Sequence, residues 1–303
     1  MGAFQKLTKV FTDLFVMTWD LWLAALNLLL PKHKSGHVVP AGCPGHNGSW
    51  PEYVAPKAGD SRSACPMLNA MVRLFPPCAF GSACLRTCNP VLSSLTIWQA
   101  NHGILPHSGR NITFRELKRT IHQTYNFAPT FCFFVPAFAA NFLHRSYWTG
   151  TFDLEDLSKH NAIEHDASLT RRDSALVHDQ GKPDLELVKK LLAGATGKGP
   201  NGEKLLTKQD LSKALSKRRM EAKAENPEYS ESLFHNMFGS ANSSTMLTIF
   251  GGRVDDLVPM LTEERFADNW EPRITSHFGL TMAEFNTTVL PVEFGVEVKK
   301  KSQ

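Results

Sequence analysis

Three short stretches hold residue types that can do chemistry. In Ala64-Cys65-Pro66-Met67-Leu68-Asn69 a cysteine stands directly before proline, and the residues after it suit a helix. Proline fits the first helical position, so Cys65 sits at a helix start. The dipole and unpaired N–H groups there favour a thiolate. Such a sulfur can ligate a metal or attack an electrophile; the plain structural alternative is a small buried cysteine. The second stretch, Glu164-His165-Asp166-Ala167-Ser168, offers hard oxygen ligands suited to Mg²⁺ or Ca²⁺. His165, between two carboxylates, could have its tautomer fixed and shuttle protons. Alone, this stretch would read as a polar loop. The third places His102 and His107 around Gly103 and Pro106. That spacing is poor for a common metal, and helix capping or loop hydrogen bonds suit it better.

Elements must position these residues. Residues 32–63 are rich in Pro, Gly and His and predict an extended arm. Thr113-Phe-Arg-Glu116 is a capping box opening a helix to about Asn126, and Pro129 starts an apolar segment to Trp148. In the charge-dense stretch 171–229, helices are predicted near Leu185–Ala195 and Thr207–Ala224. Leu233–Phe250 reads as an apolar helix despite Gly239, and Thr281-Met-Ala-Glu284 is a second capping box. Val289 to Val298 is the best candidate for a short strand. The fold class is mainly α, a single compact helical domain with little β over residues 32–303.

Composition agrees. The chain has 303 residues, 42% hydrophobic and 20% charged, which excludes a disordered, collagenous or coiled-coil protein. A net charge of +4 gives no electrostatic reason to expect nucleic acid. Twenty Phe against four Tyr suggest an interior or pocket lined with rings that carry no hydroxyl. Six irregularly spaced cysteines do not read as a disulfide framework.

Residues 1–31 form an apolar helix whose polar residues do not scatter. Lys6, Asp13, Asp20 and Asn27 recur every seven residues, a narrow polar stripe on a helix otherwise covered by Phe, Leu and Trp. Asp13 and Asp20 interrupt the apolar centre a cleavable signal needs. An in-plane or signal-anchor membrane helix is one expectation, and a helix packed on the domain's own core is the other. Four sequons, at Asn47, Asn111, Asn242 and Asn286, bear on compartment, each weakly. Asn242 and Asn286 lie in apolar stretches, where glycans are not expected. Together these features point to the secretory pathway or a membrane.

The first two motifs, in this order and with the Asn-His-Gly segment between them, resemble the fungal haem-thiolate peroxidases, which include chloroperoxidase and the unspecific peroxygenases. The family hallmark is Pro-Cys-Pro, then Glu-His-Asp with a nearby Ser, then a distal Glu. Here it stands as Ala64-Cys65-Pro66 and Glu164 to Ser168. The histidine motif is that of the shorter branch. The resemblance covers roughly residues 37–298. It implies haem b with Cys65 as axial iron ligand, whose donation favours O–O cleavage. It implies Mg²⁺ held by Glu164, the backbone of His165 and Ser168. His165, oriented by Asp166, would handle the distal proton. The implied activity is peroxide-dependent oxidation or oxygenation of small hydrophobic or aromatic substrates through a ferryl-oxo species. A halide-oxidising peroxidase, or a non-catalytic haem- or lipid-binding membrane protein on the same fold, are the alternatives.

The chain departs from the family in two further places. Where the distal Glu is expected, it has Asn242, and an amide cannot accept and return a proton; Glu231 and His235 are nearby substitutes. Residues 72–99 have no counterpart in the family pattern. This stretch holds Cys78, Cys84 and Cys88 and no acidic residue. Its edges are compatible with splice-site codons, so a retained intron translated in frame is expected, against a genuine Cys-rich insertion.

Overall fold

The computed structural model describes residues 3–41, 43–72, 104–160, 164–230 and 232–297. Outside them lie the 72–99 segment beyond Val72, His102, Glu231 and Val298.

Helix α1 runs Ala3–Leu29 and is followed by the expected extended arm, broken only by a short 3-10 turn at His46–Gly48. Helix α2 is Pro66–Val72. Helix α3, Phe114–Tyr125, starts where Thr113 Oγ1 accepts the Glu116 N–H and stops at Asn126, whose left-handed backbone (φ 56°) ends it. Helix α4 is Pro129–Phe142, shorter than the apolar run that predicted it. Helices α5, Leu185–Ala193, and α6, Lys208–Glu225, fall where expected. Helix α7 is Leu233–Thr248, α8 is Val254–Thr262 and α9 is Met282–Phe294. Strand content among the described residues is two antiparallel pairs: β1 (Ile112–Thr113) with β2 (Thr151–Phe152), and β3 (Gly197–Lys198) with β4 (Lys204–Leu205).

Residues 289–294 of the strand expected over Val289 to Val298 are instead the last turns of α9. The Thr281–Glu284 capping box starts a helix, and Phe285, Val289 and Val292 then recur on one buried face at helical spacing. Pro291 sits inside it. Its missing N–H leaves the Thr287 carbonyl without the helical donor, and Lys208 Nζ supplies one at 2.9 Å.

Helix α9 packs on α7, α6 and α1, α3 packs on α4, and α8 packs on both α2 and α5. Between them lies one apolar core that includes Met71, Phe114, Leu211, Ile249, Met260 and Trp270. Trp270 stacks on Phe266 (4.7 Å) and Trp50 on Phe266 (4.2 Å), which fastens the arm over the loop after α8. All four sequon asparagines are exposed, including the two in apolar stretches. Cys43 is disulfide-bonded, and Cys65 and Cys132 are free thiols.

Helix α1 is turned opposite to an ordinary surface helix. Its stripe of Val16, Asp20, Leu23 and Asn27 is buried, while Phe11, Leu14, Trp22 and Leu28 face outward. The Asp20 carboxylate accepts from Thr130 Oγ1 (2.5 Å), the Met282 N–H (3.1 Å) and the Ala283 N–H (2.9 Å). It therefore sits on the first turn of α9, where the helix dipole favours an anion. Asn27 donates to the Gly279 carbonyl (2.9 Å) and accepts from the Phe278 N–H (2.8 Å).

Candidate active site

Cys65 immediately precedes Pro66, the first residue of α2, as its motif predicted. The thiol is free, and the Met67 and Leu68 N–H groups are directed at it. Burial pushes the thiol pKa up; those two donors and the nearby Arg171 guanidinium pull the other way without overcoming it. Without a metal the sulfur is a thiol, and a metal would be needed to hold it as thiolate.

The backbone around Cys65 is pinned from all sides. Cys65 N–H donates to Ser63 Oγ (3.2 Å) and Ala64 N–H to Ser158 Oγ (2.9 Å). Asn69, fully buried, accepts from the Ser63 N–H (2.9 Å), returns a bond to the Ser63 carbonyl (2.9 Å) and donates to Glu264 Oε1 (2.8 Å). Glu264 is also buried and pairs with Arg171 (2.8 Å) and with Arg62. Tyr125 OH donates to the Met67 carbonyl at 2.8 Å. Sequence reasoning missed Arg171 and Glu264. Arg171 lies in a stretch that reads as solvated charge, and only the tertiary fold shows that it is inside.

Glu164, His165 and Asp166 are all buried, in a loop tied to the end of α6. Asp173 holds that loop by accepting from the Ala167 N–H (3.0 Å), Arg218 Nη2 (2.7 Å) and Asn226 Nδ2 (3.0 Å). Ala167 has a positive φ of 58°, the sharp bend of the loop. His165 Nδ1 lies 2.9 Å from the Asp166 main-chain oxygen. A carbonyl can only accept, so Nδ1 carries the proton and Nε2 keeps its lone pair. Burial lowers the His165 pKa, which keeps the ring neutral. Asp166 thus orients His165 through its carbonyl. Its carboxylate, expected to do so, instead accepts from Asn226 Nδ2 (3.0 Å) and the Ser230 N–H (3.0 Å).

The His165 ring rests against Gly239 of α7. A Cβ there would lie 3.3 Å from Cε1 and 3.4 Å from Nδ1. The glycine that looked out of place in a helix is what admits the ring. Asn242 is exposed. His235, near enough to lower the His165 pKa further, bonds Ser230 Oγ through Nδ1 at 2.6 Å.

Glu164 Oε2 lies 3.0 Å from His160 Nδ1 and 3.4 Å from Ser174 Oγ, two residues the motif did not point to. Ser168 Oγ accepts from the Thr170 N–H at 3.3 Å. Among the described residues no three His, Cys, Asp or Glu side chains form a metal cluster. His160 and Ser174 line an open groove of about 1190 Å³ with Arg62, Phe142, Leu143 and Ser158. His107 Nδ1 bonds the Val72 carbonyl (3.0 Å), as a helix-end partner and not as a ligand.

The two motifs are joined by one loop. It starts at His165 and within a few residues delivers Arg171 beside Cys65 and Asp173 beside His165. The sequence model of the family described as "Peroxidase, family 2" matches residues 85–275, which takes in the Glu164 to Ser168 loop and α3 to α8. Comparison with curated proteins gave no match. A buried neutral histidine with a free ring nitrogen, a cysteine at a helix start, a mainly α domain and this match together place the chain in peroxidase family 2, the chloroperoxidase family of haem-thiolate peroxidases.

Proposed function

We infer that the protein uses hydrogen peroxide to oxidise or oxygenate small hydrophobic or aromatic molecules, with haem held by Cys65. The observation that carries this is the Cys65 thiol at the start of α2, receiving the Met67 and Leu68 N–H groups beside Arg171. That donor set fits an axial ligand: N–H bonds and a guanidinium stabilise sulfur charge once a metal replaces the proton. Bound haem would supply the redox chemistry, accepting two oxidising equivalents from peroxide and passing them to the substrate.

The chain's own residues manage the proton. His165 Nε2, unprotonated and oriented from behind by the Asp166 carbonyl, would take a proton from peroxide and return it to the departing oxygen. With Asn242 exposed and unable to relay protons, this task falls to His165. Glu164 with Ser168 and the His165 backbone would hold Mg²⁺ through oxygen donors. His160 and Ser174 already orient the Glu164 carboxylate.

The test is spectroscopic. The reduced, CO-bound protein should show the red-shifted Soret band of thiolate-ligated haem, and Cys65→Ala should abolish it. An unchanged spectrum in that variant overturns the assignment. Glu164→Gln should lose Mg²⁺ relative to wild type in metal analysis, and equal metal in both removes the Mg²⁺ site.

A further inference from the structure

Among the described residues, helix α1 presents an exposed apolar surface. At about 100° per residue, Val16, Asp20, Leu23 and Asn27 occupy about 60° of its circumference. That narrow seam is buried and hydrogen-bonded to α4 and α9. Phe11, Leu14, Met17, Trp19, Leu21 and Trp22 are exposed and spread over about 200° on the other side. Between Leu14 and Pro31 the single charged residue is Asp20, and it points inward. Thr18, on the outward arc, donates its hydroxyl to the Leu14 carbonyl at 2.9 Å and so needs no outside partner. Exposed Lys32 and Lys34 follow the helix end.

We propose that α1 is an in-plane membrane helix that seats the whole domain on a lipid bilayer. A second protein helix covers an apolar stripe of about 100°. A bilayer surface meets about half a helix circumference or more, which matches the exposed arc. Tryptophans and flanking lysines are the residues that favour the headgroup level. The helices under the seam add exposed apolar side chains, Phe134 and Val135 on α4 and Leu290 and Phe294 on α9.

The seam decides between lying in the membrane and crossing it. Val10–Leu29 is 20 residues, long enough to span. Yet Asp20, at its middle, holds the first turn of α9 and Thr130 of α4. A spanning α1 would carry those helix ends and Glu284 into hydrocarbon, or would strip three donors from Asp20. An in-plane helix keeps every seam bond and immerses only the apolar arc. This proposal is independent of the haem chemistry.

The experiment is flotation of the full-length protein with vesicles of phosphatidylcholine, with and without phosphatidylserine. Wild type should float with both, more so with the anionic lipid, and alkaline carbonate should release it. Phe15→Glu/Trp22→Glu should cut the bound fraction by about tenfold or more, with helicity unchanged by circular dichroism. If that variant misfolds, Leu28→Glu, at the most exposed outward position, tests the same arc. Wild type that does not float overturns the proposal. So does a carbonate-resistant protein, which would mean a span. A dimer lost in the outward variant, with no flotation, assigns the face to a second copy instead.

Discussion

At the scale of single residues, the site turns on how His165 is held. Its Nδ1 proton is committed to the Asp166 carbonyl, so Nε2 is the ring atom able to accept a proton. Burial depresses its pKa, so the neutral, proton-accepting form persists below the usual histidine range. The sign follows: the unfolded chain protonates first as pH falls, so stability from this group is present above about pH 6.5 and declines below it. Peroxide turnover should therefore hold steady from neutral pH to below about 6.5 and fall only in more acid buffer. A pH–rate profile with its acid inflection at or above that value would place the essential base elsewhere. Gly239 supplies a second handle. Alanine there should raise helix stability by up to about 1 kcal/mol. Its methyl would crowd the His165 ring from 3.3 Å, and a displaced base costs rate steeply. Gly239→Ala should thus keep or raise Tm while lowering peroxide turnover about tenfold. A variant with both intact would show that the ring has room to move.

At the scale of elements, what was legible in the sequence was what is local. Both capping boxes start helices where expected, because Thr113 and Thr281 bond N–H groups three residues on. The apolar run at Val289 to Val298 misled, since helix or strand is undecided over so short a stretch until the cap upstream is weighed. The helix start at Cys65-Pro66 was legible, because proline suits the first helical position. The Arg171–Glu264–Asn69 group was not, because its members lie far apart in the chain and each alone looks like surface. The N-terminal helix gave two rival readings; the structure shows a seam packed on the core beside an exposed apolar arc. That seam makes a prediction. Asp20→Ala leaves Thr130 Oγ1 and the Met282 and Ala283 N–H groups without their acceptor. The loss should be about 2–4 kcal/mol by denaturant unfolding, with α1 newly open to proteolysis. A shift within about 0.5 kcal/mol would mean that water replaces the carboxylate and the seam is weak.

At the scale of the whole molecule, the open question is what residues 72–99 contribute. The described chain leaves at Val72 and returns at Ile104, and the two ends are neighbours. Leu105 N–H reaches the Met71 carbonyl at 3.5 Å, and His107 Nδ1 reaches the Val72 carbonyl at 3.0 Å. A short link can therefore replace the segment without moving α2, and loop closure changes little, since its entropy varies only logarithmically with length. Two terms compete in the shortened chain. Joining Met71 directly to Ala100 would give the spacing that the family resemblance implies just after Cys65, where the N–H groups directed at the sulfur reside. It also removes Val72, buried at the end of α2 with its carbonyl bonded to His107 Nδ1, at a cost of about 1–3 kcal/mol. The terms act on different observables: the lost Val72 contacts on global stability, the spacing on the thiolate. The joined chain should have a lower Tm than its parent yet bind more haem per chain and turn over peroxide faster. The transcript should lack the corresponding bases in most copies. Lower haem occupancy in the joined chain, beside a transcript that retains those bases, would make the segment a true insertion and the parent the competent enzyme.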